Sequence, residues 1–394
     1  MTGSEPYGRQ RQAEIYALGE AGHPPDVPVE HDALREAARA AVDDAAWAYV
    51  AGGAGEESTV DENRRAFRRW RIVPRMLRDV AERDLSVAVA GLELPAPLLL
   101  APIGMQSLFH EGADVASAEG AAAAGVPFVA STVSSEPMED VAAALDETPK
   151  WFQLYWSADE ALAGSFLDRA AAAGYDAILV TVDTPVTGWR QRELREAALP
   201  FYDGHGMANY LTDDAFREAM DADPDENHDM AVQHLLDTFS DAGRTWTDLA
   251  RLRERTDLPL FVKGVLHPAD ARAAVDAGAD GVVVSNHGGR QVDGAVAALD
   301  ALPAVAEAVG DEAAVLFDSG VRSGADVVRA MALGADAAML GRPYIYGLAV
   351  DGADGVAAVC RNYLADVDLT LGLSGYAEAT AVDRAAVRER GRPR

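Results

Sequence analysis

The chain predicts an α/β fold: a (β/α)8 TIM barrel with a parallel sheet, an N-terminal helical extension and a long loop after strand four. Three observations predict it. An Ala-rich helical run, a glycine able to cap it and a short strand recur as "AAAAGVPFVAS", "AAAGYDAILVTVD", "AVDAGADGVVVS" and "AMALGADAAMLG", with Gly125, Gly174, Gly278 and Gly334 as caps. Each gap between these glycines holds one further strand, and "APLLLAP" precedes the first unit, which makes eight strands. The strands are continuous apolar runs, as expected where helices cover a parallel sheet, and the alternation covers about 250 residues. An open doubly wound sheet is the alternative with the same alternation.

The elements follow in order. Residues 1–30 read as a Pro-rich arm, and His31 to Val50 as a helix closed by Gly52 and Gly53. The strands are "APLLLAP", "VPFVAS", "KWFQLYW", "DAILVTVD", "PLFVKG", "GVVVS", "AVLFDSG" and "DAAMLG". Gly174 to Gly278 spans 104 residues, against 49 from Gly125 to Gly174 and 56 from Gly278 to Gly334. The surplus lies between "TVDTP" and "LPLFVKG" and predicts an insert over the barrel mouth, about residues 193–257, acting as a lid. It holds the acidic turn "DADPDENHD" and helical segments around "MAVQHLLDTF" and "WTDLARLRERT". The barrel is read as residues 31–375 and the tail as 376–394, with no second domain.

Composition limits the partners. The formal net charge of −30 on 394 residues argues against nucleic acid and anionic membranes and suits concentrated salt, where repulsion is screened. The lone Cys360 excludes an internal disulfide, no apolar run reaches membrane-spanning length, and "MTGSEPYGRQRQ" lacks a signal peptide's hydrophobic region. The expectation is a cytoplasmic, halophile-like protein. Lys150 and Lys263 are the only lysines, so Lys263 at a strand end stands out, whereas Lys150 reads as a surface residue.

Barrel enzymes work at the C-terminal ends of their strands, and here those ends are polar. Strand one ends in "APIGMQ", strand two in Ser131 and Thr132, strand three in Gln153 and Tyr155, and strand four in Thr181 and Asp183. Strand five brings Lys263, strand six Ser285, His287 and Arg290, strand seven Asp318, Ser319, Gly320 and Arg322, and strand eight Gly341 and Arg342. "DSGVRSGADV" and "LGRPY" each set glycine amides beside an arginine before a helix start, an arrangement that fits phosphate. Either alone reads equally well as a turn with a solvated arginine. No P-loop or GxGxxG follows a strand, so a flavin mononucleotide or a sugar phosphate fits better than ATP or a dinucleotide. A lone histidine after a strand is more often structural than catalytic, but His287 stands in acidic and basic company.

"SNHGGRQVDG", "DSGVRSGADVVRAMALGADAAMLGRP", "FQLYW" and "TVDTP" resemble the FMN-dependent α-hydroxy-acid oxidising family over about residues 30–375. Within it, "AYVAGGAGEE", "RMLRDVAERDLSV", "APIGMQSL" and "TGWRQREL" are most similar to lactate 2-monooxygenase. The resemblance implies FMN as cofactor and oxidation of a small L-2-hydroxy acid, L-lactate foremost, with oxygen as acceptor. The outcome is either keto acid plus peroxide or, by monooxygenation, acetate, carbon dioxide and water. A dehydrogenase with another electron acceptor and a non-enzymatic flavin-binding protein are the alternatives; no heme domain is fused to the chain. A homo-oligomer, tetramer or octamer, is also implied, and no metal site is expected.

Carried over residue by residue, His287 would be the base and Asp183 would orient it and raise its pKa. Arg290 would clamp the substrate carboxylate, Tyr49 would bond the same carboxylate, and Tyr155 would face the hydroxyl. Arg190 would add a second positive charge near the substrate, although a solvated loop arginine reads equally well, as does simple packing for Tyr49. Lys263 would stabilise charge on the reduced flavin, while Gln153, Thr181, Ser131, Ile103 and Gly104 would bond the ring's edge. Ser285, Asp318, Ser319 and Gly320 complete the cofactor set, with Arg322, Gly341 and Arg342 on the phosphate. Two residues depart from the common pattern: Val133 stands where glycolate oxidase has tryptophan, and Gly104 where most members have alanine, which would open room near the flavin.

Overall fold

Side chains alternate across a strand, so in β3 (Lys150–Tyr155) Trp151, Gln153 and Tyr155 face one way and Phe152 and Leu154 the other. Phe152 packs on Phe166 and Tyr175, with ring centroids 6.3 and 5.7 Å away, in the surrounding layer. Trp151 instead stacks on Phe261 of β5 (Leu260–Val265), at 4.4 Å, across the interior. Gly281 makes room for that pair, because a Cβ there would come within 2.5 Å of the Phe261 ring. Aromatic rings thus fill the floor, and the same inner faces carry Gln153, Tyr155 and Lys263 up to the mouth.

In this computed structural model, which describes residues 6–391, the remaining barrel strands are β1 (Leu98–Leu100), β2 (Phe128–Ser131), β4 (Ala177–Thr181), β6 (Gly281–Val284), β7 (Ala314–Phe317) and β8 (Ala337–Leu340). Each pairs in parallel with the next, and β8 closes on β1 through Ala338↔Leu98 to Leu340↔Leu100. These are the eight strands read from the sequence. Pairing between β5 and β6 slips at Gly264, whose φ of +108° only glycine adopts readily. A Cβ there would lie 2.5 Å from that of Asp183, so the bulge lets the carboxylate come close beside Lys263.

Outside the barrel the structure departs from the sequence reading in four places. The Pro-rich arm contains a helix, Tyr7–Glu20, seated on the last helical segment Arg342–Ser374, which breaks at Asp351 and Gly352, through Gly8 N–H and Asp368 Oδ2 at 2.8 Å. The expected helix from His31 to Val50 is two, His31–Ala41 and Asp44–Ala51, because Asp43 turns to cap the second and accepts from Ala46 N–H at 2.8 Å. A further helix, Ser58–Arg69, was not anticipated. In the tail, Val387–Glu389 pairs antiparallel with Trp70–Ile72. Residues 1–5 of the arm and 392–394 of the tail lie outside the described residues. The segment after β4 is a series of short helices, including His228–Thr238 and Trp246–Arg253; the latter buries Leu249 and Leu252. Among the described residues no helix is long and apolar enough to cross a membrane.

Candidate active site

The turn after β6 places the imidazole. Asn286 caps it, accepting from Gly289 N–H at 3.1 Å, and is itself held by Asn63 of the helix Ser58–Arg69 through reciprocal amide bonds of 2.8 and 2.7 Å. His287 takes a left-handed φ of +56°, which costs a non-glycine residue backbone energy and persists because Ser285 Oγ accepts its N–H at 3.0 Å. Its Nδ1 lies 2.8 Å from Asp183 Oδ1, while Asp183 Oδ2 is buried without a partner among the described residues. Burial pushes the Asp183 carboxyl up, but His287 and Lys263 prevail and hold it below the usual range, hence ionised. For His287, burial outweighs the pull of Asp183 and, with Lys263, lowers its pKa. The net direction is opposite to the rise expected from Asp183 alone. Burial thus favours the neutral imidazole, which would donate Nδ1–H to Asp183 and leave Nε2 free to accept.

Arg290 closes the same turn. Its Nη1 donates to the carbonyls of Tyr49 and Gly52, its Nη2 to Glu193 Oε1 at 2.9 Å, and its guanidinium lies 4.9 Å over the Tyr49 ring. Tyr49 OH donates to Gly104 O at 3.3 Å, and Tyr155 packs its ring on Phe239 at 4.9 Å. His287, Arg290, Tyr49 and Tyr155 line one cleft at the mouth of the barrel. Arg190 does not line it; it donates to Arg290 O at 3.2 Å and to Gln291 Oε1 at 3.0 Å, bracing the turn from the loop side. It is half-buried rather than freely solvated, and burial, with Arg290, lowers its pKa.

The other wall and the floor supply the remaining residues. Ile103, Gly104, Lys263, Asp318, Ser319, Gly320, Arg322, Gly341 and Arg342 line the cleft. Lys263 Nζ donates to Ser285 Oγ at 3.2 Å and lies 3.4 Å from Asp318 Oδ2. Burial lowers its pKa, yet Asp318 and Asp183 more than offset this, so the ammonium stays charged inside the barrel. Ser131, Gln153 and Thr181 sit outside the cleft lining, with Gln153 Oε1 accepting from Ser131 Oγ at 3.1 Å. Gln153 Nε2 and Thr181 Oγ1 are buried without partners among the described residues, the signature of donors awaiting a polar ring edge. At the far end, Arg342 bonds only main-chain oxygens, of Val50, Gly288 and Gly52, at 2.8 to 3.1 Å. Arg322 bonds the Val321 carbonyl at 2.7 Å, and burial brings Arg342 down to about 10 and lowers Arg322. Two half-buried guanidiniums, neither ion-paired with a carboxylate among the described residues, suit an anion, so these residues fit a flavin mononucleotide, phosphate outermost.

Gly104 corrects an expectation. A Cβ there would point not into open space but at Val133, 2.3 Å from Cγ2 and 2.5 Å from the carbonyl that Met105 N–H bonds at 2.8 Å. The glycine permits close approach of two chain segments. Sequence reasoning also missed Asn63 and Glu193, and His31, which burial and then Arg322 and Arg64 depress to about 3. Asn63 lies on an unrecognised helix, Glu193 falls within "TGWRQREL" without a role having been read from it, and His31 carries no local motif.

A model of the FMN-dependent dehydrogenase family matches residues 38–389. The chain belongs to that family. It is 42% identical over 329 residues to an L-lactate oxidase of Lysinibacillus sphaericus, covering 84% of each chain. It is 41% identical over 381 residues to the FMN-dependent alpha-hydroxy acid dehydrogenase qulF of Penicillium citrinum, covering 96% of this chain and 95% of that one. Among solved structures it resembles a mandelate oxidase, with TM-score 0.82, 37% identity and coverage of 92% of this chain and 98% of the other. The protein is an FMN-dependent α-hydroxy-acid oxidoreductase.

Proposed function

We propose that the protein oxidises a small L-2-hydroxy acid, L-lactate foremost, to the keto acid with oxygen as acceptor. The observation that carries this reading is the pairing of His287, held by Asp183 at 2.8 Å, with Arg290 on one turn at the cleft. Bound FMN would supply the acceptor for the hydride equivalent leaving the substrate Cα. Every other part falls to the chain. Nδ1–H on Asp183 leaves Nε2 as the atom that takes the hydroxyl proton, and the ionised Asp183 steadies the imidazolium that results. Arg290 Nη1 and part of Nη2 are held by Tyr49, Gly52 and Glu193, while Nε has no partner among the described residues. Its Nε side is the face offered to a carboxylate. Tyr49 and Tyr155 complete the pocket, Lys263 offsets negative charge at the ring, and Arg322 and Arg342 hold the phosphate.

The segment after β4 serves as a lid in this reading, since Arg190 and Glu193 tie it to the His287–Arg290 turn. We read the protein as cytoplasmic and adapted to salt, which the charge of −30 supports, and as a homo-oligomer. Exposed Met76, Leu77 and Leu373 are apolar candidates for a subunit contact. The test of function is anaerobic mixing of the FMN-loaded protein with L- and D-2-hydroxy acids. L-lactate bleaches the flavin bands and re-admitted oxygen restores them. Absence of bleaching by every L-acid overturns the reading, and bleaching without rapid reoxidation assigns another electron acceptor.

A further inference from the structure

The two arginines on the substrate side share one carboxylate. Glu193, in the helix Gln191–Glu196, takes Arg290 Nη2 on Oε1 at 2.9 Å and stands with Oε2 3.6 Å from Arg190 Nη1. Their other hydrogen bonds go to uncharged oxygens: Arg290 to the Tyr49 and Gly52 carbonyls, Arg190 to the Arg290 carbonyl and Gln291 Oε1. Among the described residues Glu193 is the only acidic side chain within ion-pair distance of either. It does not line the cleft, so it acts from behind the guanidiniums. Both arginines are mostly buried, where a charge left uncompensated is felt strongly by any anion that enters.

We propose that Glu193 is a positioning residue that sets how long the keto-acid product stays in the site, by cancelling part of the positive charge that Arg290 turns toward a carboxylate and that Arg190 reinforces from behind the turn. The proposal rests on the hydroxy-acid reading above. Substrate and product carry the same carboxylate, so a group that loosens one loosens both. Residence decides the products. If the keto acid stays beside hydrogen peroxide, a peroxide oxygen adds to the keto carbon and the bond to the carboxylate breaks. Its electron pair forms a new carbon–oxygen bond as the O–O bond cleaves, and keto acid plus peroxide becomes the shortened carboxylate, carbon dioxide and water. If the keto acid leaves first, peroxide is released intact. Glu193 thus tilts the chain toward release.

Glu193→Gln tests this, since the amide keeps the length and an oxygen for Arg290 but removes the charge. In the FMN-loaded protein, pyruvate titrated against the oxidised flavin spectrum is expected to bind about five- to tenfold more tightly. KM for L-lactate falls in step, and the ratio of acetate to peroxide rises. Loss of a merely structural contact would weaken binding, so the sign of the change is diagnostic. Pyruvate binding that is unchanged or weaker, in a variant still reduced by L-lactate, overturns the proposal. Should the amide variant fail to hold FMN, Glu193→Asp replaces it; withdrawing the carboxylate by one methylene is expected to tighten pyruvate by a smaller factor, and no tightening overturns the idea. Failure of the wild-type flavin to bleach is a separate result, which removes the hydroxy-acid reading itself.

Discussion

At the scale of single residues, the balance around His287 decides the chemistry and has a measurable sign. Burial comes first among its influences and lowers the pKa from 6.5; Asp183 pulls it up, and Lys263 pushes it down again. A base must be unprotonated, so activity is lost as pH falls through the folded-state value, which lies below 6.5. The rate of anaerobic flavin reduction by L-lactate is therefore expected to be flat from neutrality to below the ordinary imidazole range and then to drop with unit slope. An acid limb centred above pH 7 would show that Asp183 prevails over burial. His287→Gln should keep FMN, most of whose expected contacts lie on other strands, and slow reduction by about 10²- to 10⁴-fold. Near-normal reduction in that variant would move the base elsewhere.

At the scale of elements, the strands of the barrel set both the floor and the reach of the site. Gly281 shows how tightly the floor is built: Ala at this position would drive a methyl within 2.5 Å of the Phe261 ring and 2.9 Å of Ala314 O, and Phe261 is stacked on Trp151. Gly281→Ala is expected to destabilise the fold by about 2 kcal/mol through overpacking, seen as a lower denaturant midpoint with unchanged slope. A wild-type midpoint would mean that the strand gives way without cost. The same regularity explains what the sequence disclosed. Continuous apolar runs, four after capping glycines, three in the gaps between them and one ahead of the first, revealed all eight barrel strands, and their polar ends named Lys263, His287, Arg290 and Arg342. What stayed hidden depends on contacts far apart in sequence. Asn63 meets Asn286 across 223 positions, from a helix whose start, Glu57, adopts a left-handed φ of +63° rather than offering a side-chain cap. Glu193 matters only because its helix folds back 97 positions onto Arg290. The direction of the Gly104 Cβ depends on how the loops after β1 and β2 approach, which residue type does not reveal.

At the scale of the whole molecule, charge is the dominant long-range term. Asp and Glu number 64 against 34 Lys and Arg, so an excess of 30 negative charges remains however the arginines are paired. Surface pairs such as Arg217 with Asp223 and Asp225, at 3.0 and 2.8 Å, contribute little and weaken as salt rises. The unpaired excess responds in the opposite direction, because repulsion is stronger in the compact state than in the expanded unfolded chain. Raising ionic strength from 0.01 to 1 M shortens the screening length from about 30 to about 3 Å, which removes most of that repulsion. The excess outnumbers what the weak pairs lose, so the net effect favours the folded state. The melting temperature is thus expected to climb by several degrees across this range in potassium chloride and then to level off. Sucrose, which leaves charges unscreened, is not expected to reproduce that plateau. A melting temperature flat across the chloride series would mean that the acidic surface is neutralised locally, by arginine networks stronger than surface pairs ordinarily are.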